Sequence, residues 1–263
     1  MFQSYLNTPL GAWLLPIIPR DSGKNLTANS TIPSENLGKI PGQRWPGGRW
    51  SGMPKWDNGF DLQNRDHAKK VLAIWDHWYP EGRQTIGLRC RLFPGVDLDV
   101  NTRDQAEWAR DAAFEVFGKT IIRGRSDGAP RLLLPYRFAE PGQFITKVRQ
   151  DFKNDEGDAF AVEILGQGHQ WLVEGEHASG ARYVWFSIDD PTPRNSMFDI
   201  PDFGVEQLPK ISLEQVYEFV KAVTLATQWR GTRRRSANTT GSTVSSRPRH
   251  TKLGLIILKR YQI

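Results

Sequence analysis

Apolar residues along the chain switch between two spacings, and the changeovers divide it into elements. GAWLLPIIP (residues 11–19) is a continuous apolar run that predicts a first strand. DLQNRDHAKKVLAIWDHW (61–78) sets Ala68, Val71, Leu72 and Trp75 at helical spacing and predicts a helix. TIGLRCRLF and GVDLDV then predict a pair of strands joined through Pro94 and Gly95. TRDQAEWARDAAFEVFG predicts a second helix, with Thr102 as N-cap, Gly118 as stop, and Ala106, Ala109, Ala113 and Val116 as its buried stripe. TIIRGR (120–125) and RLLLPYR (131–137) flank the turn SDGAP and predict a hairpin. Three more strands are expected at DAFAVEILG (158–166), HQWLVEG (169–175) and ARYVWFS (181–187). SLEQVYEFVKAVTLATQWR (212–230) predicts a last helix with Ser212 as N-cap. Interspersed strands and helices with tight turns predict an α+β fold around a mixed, largely antiparallel sheet.

Two stretches break the pattern. Residues 20–60 are rich in Gly, Pro, Ser and Asn and form a long connection, within which Trp45, Trp50 and Trp56 read as ring anchors for irregular backbone. After Trp229 the apolar spacing stops at RGTRRRSANTTGSTVSSRPRH. The expected division is therefore a folded domain over 1–230 and a basic tail or linker over 231–263. That tail supplies much of the net charge of +6, so the charge permits an acidic partner such as nucleic acid without demanding one.

Composition narrows the chemistry. Cys90 is the single cysteine, which excludes an intrachain disulfide and a cysteine-based zinc site; it reads as a small buried residue. No apolar run approaches the about 20 residues a membrane helix needs, and the start lacks a basic leader, so a cytoplasmic protein with no membrane partner is expected. Lys39 follows a glycine, but the string lacks the GxxxxGK[ST] pattern, so a Walker A loop is rejected and any helicase must be sought elsewhere.

The candidate chemistry lies in GVDLDV. Residues two apart on a strand share a face, so Asp97 and Asp99 project together, roughly 7 Å apart, while Val96, Leu98 and Val100 take the other face. Two carboxylates side by side repel, and a hard divalent cation such as Mg²⁺ or Mn²⁺ relieves this. The alternative is a solvated sheet edge. Glu163 stands alone among apolar residues in AVEIL, on the face shared by Ala161 and Leu165. Three acids on two strands suit a two-metal site for phosphoryl transfer.

Several blocks, in order, resemble the bifunctional DNA primase/polymerase (prim-pol) domain of the archaeo-eukaryotic primase superfamily, as carried by phages, plasmids and bacterial mobile elements. GKIPGQRWPGGRWSGMPKW (38–56), TIGLRCRLFPGVDLDV, TIIRGRSDGAPRLLLPYR and AVEILGQGHQWLVEGEHASGARYVW carry the likeness over residues 12–187. The resemblance implies an α+β catalytic core built around an RRM-like unit. It implies Asp97, Asp99 and Glu163 as ligands of Mg²⁺ or Mn²⁺, and Arg125, Arg131 and His177 as nucleotide contacts. Many relatives carry a histidine where this chain has Pro130 or Arg131, so an arginine fork would replace it. The implied activity is DNA primer synthesis and extension on a single-stranded DNA template, from dNTPs or NTPs, with a helicase acting in trans or from a longer chain. Other readings of the acid pair are a DxD nuclease or nucleotide-sugar transferase, or a degenerate prim-pol that only binds nucleic acid.

Overall fold

The computed structural model describes residues 2–57, 62, 64–79, 83–140, 142–153 and 159–224. In chain order the elements are β1 (Leu14–Pro16), β2 (Gly42–Arg44), β3 (Trp50–Gly52), α1 (Arg65–Asp76), β4 (Ile86–Arg89), β5 (Gly95–Asp99) and α2 (Arg103–Phe117). They continue with β6 (Ile122–Arg125), β7 (Leu132–Pro135), β8 (Arg137–Phe138), β9 (Val148–Lys153) and β10 (Ala159–Leu165). The last are β11 (Gln170–Glu174), β12 (Tyr183–Phe186), β13 (Lys210–Ile211) and a helix α3 over 213–224. The fold is α+β with several antiparallel sheets, as the spacing predicts. The end of the last expected helix and the tail over 231–263 lie outside the described residues. Among the described residues no helix is long and apolar enough to cross a membrane.

The main sheet runs β12-β6-β7-β5-β10-β9, every neighbouring pair antiparallel. One face is apolar. Val96, Leu98, Leu134, Val162 and Ile164 pack there against Ala106, Ala109, Ala113 and Phe117 of α2 and Val216, Phe219 and Val223 of α3. The small alanines let α2 lie close to the strands. Phe117, rather than the expected Val116, completes its buried stripe. Thr102 and Gln105 form a capping box at the start of α2, which satisfies backbone N–H groups that have no intrahelical partner. Ser212 and Gln215 exchange the same two bonds before α3.

A second module covers part of the other face. A three-stranded sheet, β1-β4-β11, packs with α1 and the N-terminal segment, and its core joins Leu133, Leu165 and Trp185 of the main sheet. Here one expectation is corrected. β4 and β5 do not pair: β4 lies between β1 and β11, while β5 lies between β7 and β10. The short segment between them carries the chain from one sheet to the other, pinned by Trp171 Nε1 donating to the Phe93 carbonyl at 2.9 Å. The first strand is also shorter than expected, because a 3₁₀ turn occupies Gly11–Trp13. The hairpin β6–β7 forms as expected. The long connection holds its own hairpin, β2–β3, in which Trp50 is buried and Trp45, in the turn, exposed; Trp56 follows it and is half-buried. Cys90 is fully buried.

Candidate functional site

The cross-strand register lines up one row of side chains over six strands: Trp185, Arg123, Leu133, Asp97, Glu163 and Arg149, in sheet order. Directly opposed residues of antiparallel strands share a face, so this row is the face opposite α2 and α3. Asp97 therefore sits directly across from Glu163. Asp99 lies two residues on, opposite Ala161. Alternation puts each acid on this face, and the β5–β10 register sets Asp97 opposite Glu163.

Where the two modules meet, a cleft of about 280 Å³ opens over the row. Asp97, Asp99, Arg125, Arg131 and His177 all line it, five of the six residues singled out in the sequence. Sequence reasoning missed Arg123 as a site residue, although it lies two residues from Arg125 on one strand and so shares its face. It also missed Lys39, which enters from the long connection, where no periodicity marks it. The lining holds two carboxylates against the four cations Lys39, Arg123, Arg125 and Arg131, so it favours an anion larger than one carboxylate can offset.

The two aspartates differ. Arg131 Nη1 lies 2.8 Å from Asp99 Oδ1 across a half-exposed gap. Asp97 has no hydrogen bond or ion pair among the described residues. Its carboxyl is pushed above the usual carboxylate range, first by burial against the cleft wall, then by the charges of Glu163 and Asp99; Arg123 and Arg131 oppose the shift. An unpaired, half-buried acid beside a second acid is a hard-oxygen donor set that fits Mg²⁺ or Mn²⁺.

Glu163 is placed differently. It is buried, with Oε2 2.7 Å from Lys147 Nζ and Oε1 bound by Arg149 Nη1. Lys147 stands just before β9 and Arg149 within it, and Glu163 does not line the cleft. Among the described residues no three His, Cys, Asp or Glu side chains are grouped as metal ligands.

The basic wall is held rigidly. Arg123 Nη1 donates to the Leu172 carbonyl at 2.7 Å, and its guanidinium lies 4.5 Å from the centre of the Tyr183 ring. Its buried Nε has no hydrogen-bond partner among the described residues. Arg125 Nη1 donates to His177 Nδ1 at 2.8 Å, and the Ser179 backbone N–H donates to the same nitrogen at 3.1 Å. Arg125 Nη1 also lies 3.2 Å from Nε2, so the guanidinium meets the ring edge that carries both nitrogens. Burial, with Arg125 and Lys39 nearby, lowers the His177 pKa from 6.5 to about 4.

The sign of the pH effect follows. Between about pH 4 and 6.5 the unfolded chain takes a proton on His177 that the folded chain does not. His177 therefore subtracts stability as pH falls through that window. In an NMR titration the His177 ring is expected to remain neutral down to about pH 5, and His177→Gln to flatten the stability–pH curve between pH 4 and 6.5. A ring that titrates near 6.5 would contradict the placement.

No protein-family model matches the chain, and no curated protein does.

Proposed function

We propose that this chain is a prim-pol catalytic domain, a template-directed nucleotidyl transferase that makes and extends DNA primers. The observation that carries this reading is the convergence of Asp97, Asp99, Arg125, Arg131 and His177 on one cleft, from three of the sequence blocks that carry the resemblance. The topology supports it. α2 connects β5 to β6, and β7 lies between those two strands, antiparallel to both. That is a split β-α-β unit, consistent with an RRM-like core.

In this reading the chain's own residues divide the work. Asp97 and Asp99 hold Mg²⁺ or Mn²⁺, with Glu163, the carboxylate opposed to Asp97, as the third acid. A bound ion would favour deprotonation of the primer's 3′ hydroxyl and neutralise the departing pyrophosphate. Arg131, Arg125 and Arg123 present planar forks to the triphosphate, a geometry that matches phosphate oxygens in pairs. Arg131 also links the two halves of the site, because it already spans to Asp99. His177, neutral, accepts from Arg125 and fixes the direction in which that guanidinium points. The DNA template would lie along the open cleft, and a helicase in trans or in a longer chain would supply the single strand. A bacterial, phage or plasmid setting suits that role.

The test is synthesis on a single-stranded DNA template with labelled nucleotides and Mn²⁺ or Mg²⁺, run with and without a primer. Product dependent on template supports a polymerase, and product without primer establishes priming. Template shortening would instead make the acid pair a nuclease site. Strand binding with no turnover would leave a binding module.

A further inference from the structure

A second groove, of about 880 Å³, lies on the other side of the 175–183 turn and shares no lining residue with the cleft. We propose that it is a second phosphate-binding site, which takes the phosphates of a nucleic-acid strand or of a free nucleotide. The proposal draws on the proposed function only for the expectation that nucleotides are the ligands at hand.

Four arginines line the groove, Arg20, Arg44, Arg83 and Arg182, against two carboxylates, Asp21 and Glu176. The nearest ion pair is loose: Arg83 Nη1 is 3.8 Å from Asp21 Oδ2, with both side chains largely exposed. Arg20 and Arg182 are exposed, and their guanidinium groups make no ion pair or hydrogen bond among the described residues. Arg44 is partly spent, since Nη1 donates to the Trp78 carbonyl at 2.9 Å. Its buried Nε has no hydrogen-bond partner among the described residues, and neither has the buried Gln84 Oε1 on the same wall. Unsatisfied buried polar atoms are costly, and a ligand or bound water at the groove removes the cost. The volume falls within the roughly 300–1,000 Å³ of small-molecule sites.

The aromatic residues argue for phosphates over bases. Trp50 is buried and meets Trp78 edge-on, with ring centres 5.8 Å apart at 86°. Trp50 forms wall and Trp78 is half-buried against it, so the arginine forks are the main groups a ligand would meet. The position also couples the groove to the cleft. Glu176 and Arg182 form a β-bridge and face the groove, while their neighbours His177 and Tyr183 line the cleft. A ligand drawn to Arg182 therefore presses on the turn that orients His177 and, through it, Arg125.

The experiment measures binding to the full chain by fluorescence anisotropy, without metal. It uses a short labelled single strand and, separately, a labelled nucleoside triphosphate. Arg20→Ser/Arg182→Ser is expected to weaken at least one of them about tenfold while the melting temperature stays at the wild-type value. If the strand is the ligand, its affinity should also depend less steeply on salt, by about 0.7 in logarithmic slope for each phosphate the variant no longer neutralises. Weakening with the strand alone assigns the groove to phosphodiesters, and weakening with the triphosphate alone to a free nucleotide. Wild-type binding of both probes overturns the proposal. Should the double serine variant unfold, Arg20→Lys/Arg182→Lys keeps the charges and removes the forks. It should bind severalfold more weakly than the wild type, and unchanged binding again overturns the proposal. The synthesis assay separates the two readings. A wild-type protein that synthesises nothing but loses binding in the groove variant retains the groove and sinks the prim-pol reading. Synthesis with an unaltered groove variant does the reverse.

Discussion

Asp97→Asn is expected to reduce template-dependent synthesis to background and at the same time to raise the melting temperature. The two effects share one cause. Asp97 carries its carboxylate into a desolvated wall, facing Glu163 and Asp99, with no bonded partner among the described residues. A carboxyl whose folded pKa lies above its unfolded value binds more protons folded than unfolded. Its contribution to stability therefore falls as pH rises from the unfolded to the folded value. Above its unfolded pKa the raised carboxyl subtracts stability, and asparagine, of nearly the same shape, removes that cost. Each kcal/mol recovered should raise the midpoint by about 2–4 °C in a domain of this size. Added Mn²⁺ should stabilise the wild type more than the variant, because the variant keeps only Asp99 of the paired carboxylates. The measurement is a pair of thermal melts, with and without Mn²⁺, beside the synthesis assay. A variant that loses activity together with several degrees of stability would make Asp97 a structural residue. A variant that retains synthesis would remove it from the catalytic set.

Much of this site is legible in the chain because strand alternation is local. GVDLDV and AVEIL each state which residues share a face, and the capping residues of α2 mark where the helix that covers the opposite face begins. What alternation cannot state is the partner. β4 and β5 look like consecutive strands of a hairpin, yet each is flanked on both sides by other strands. Strand β9, VRQDFK, is illegible for a related reason. It is the edge of the sheet, largely exposed, so it needs no apolar alternation and no strand is predicted there. Lys147 and Arg149, the two cations that hold Glu163, are hidden with it. Lys39 reaches the cleft from irregular backbone, where neither period applies.

Glu163→Gln should behave in the opposite sense to Asp97→Asn and destabilise the fold. Glu163 is 6% exposed and neutralises Lys147 and Arg149 together. Glutamine keeps the shape and removes the charge, leaving two adjacent cations with only Asp151, 2.7 Å from Arg149 Nε, as a counter-charge among the described residues. Breaking a fully buried pair costs about 3–5 kcal/mol. Here the Arg149 and Lys147 side chains are 44% and 31% exposed, so water recovers part of that and about 1–3 kcal/mol is expected. The check is a double-mutant cycle by chemical denaturation. Lys147→Met/Glu163→Gln should be more stable than Glu163→Gln alone, since the substitution that strands the ammonium is paired with one that deletes it. Additive losses would mean that the pair contributes nothing as a pair. Mn²⁺ titration of the same variants assigns the third acid its role. An affinity that falls as far in Glu163→Gln as in Asp97→Asn places Glu163 among the ligands, with Lys147 as the cation it exchanges. An affinity unchanged from the wild type makes Glu163 the anchor of the edge strand, and leaves Asp97 and Asp99 to hold the ion alone.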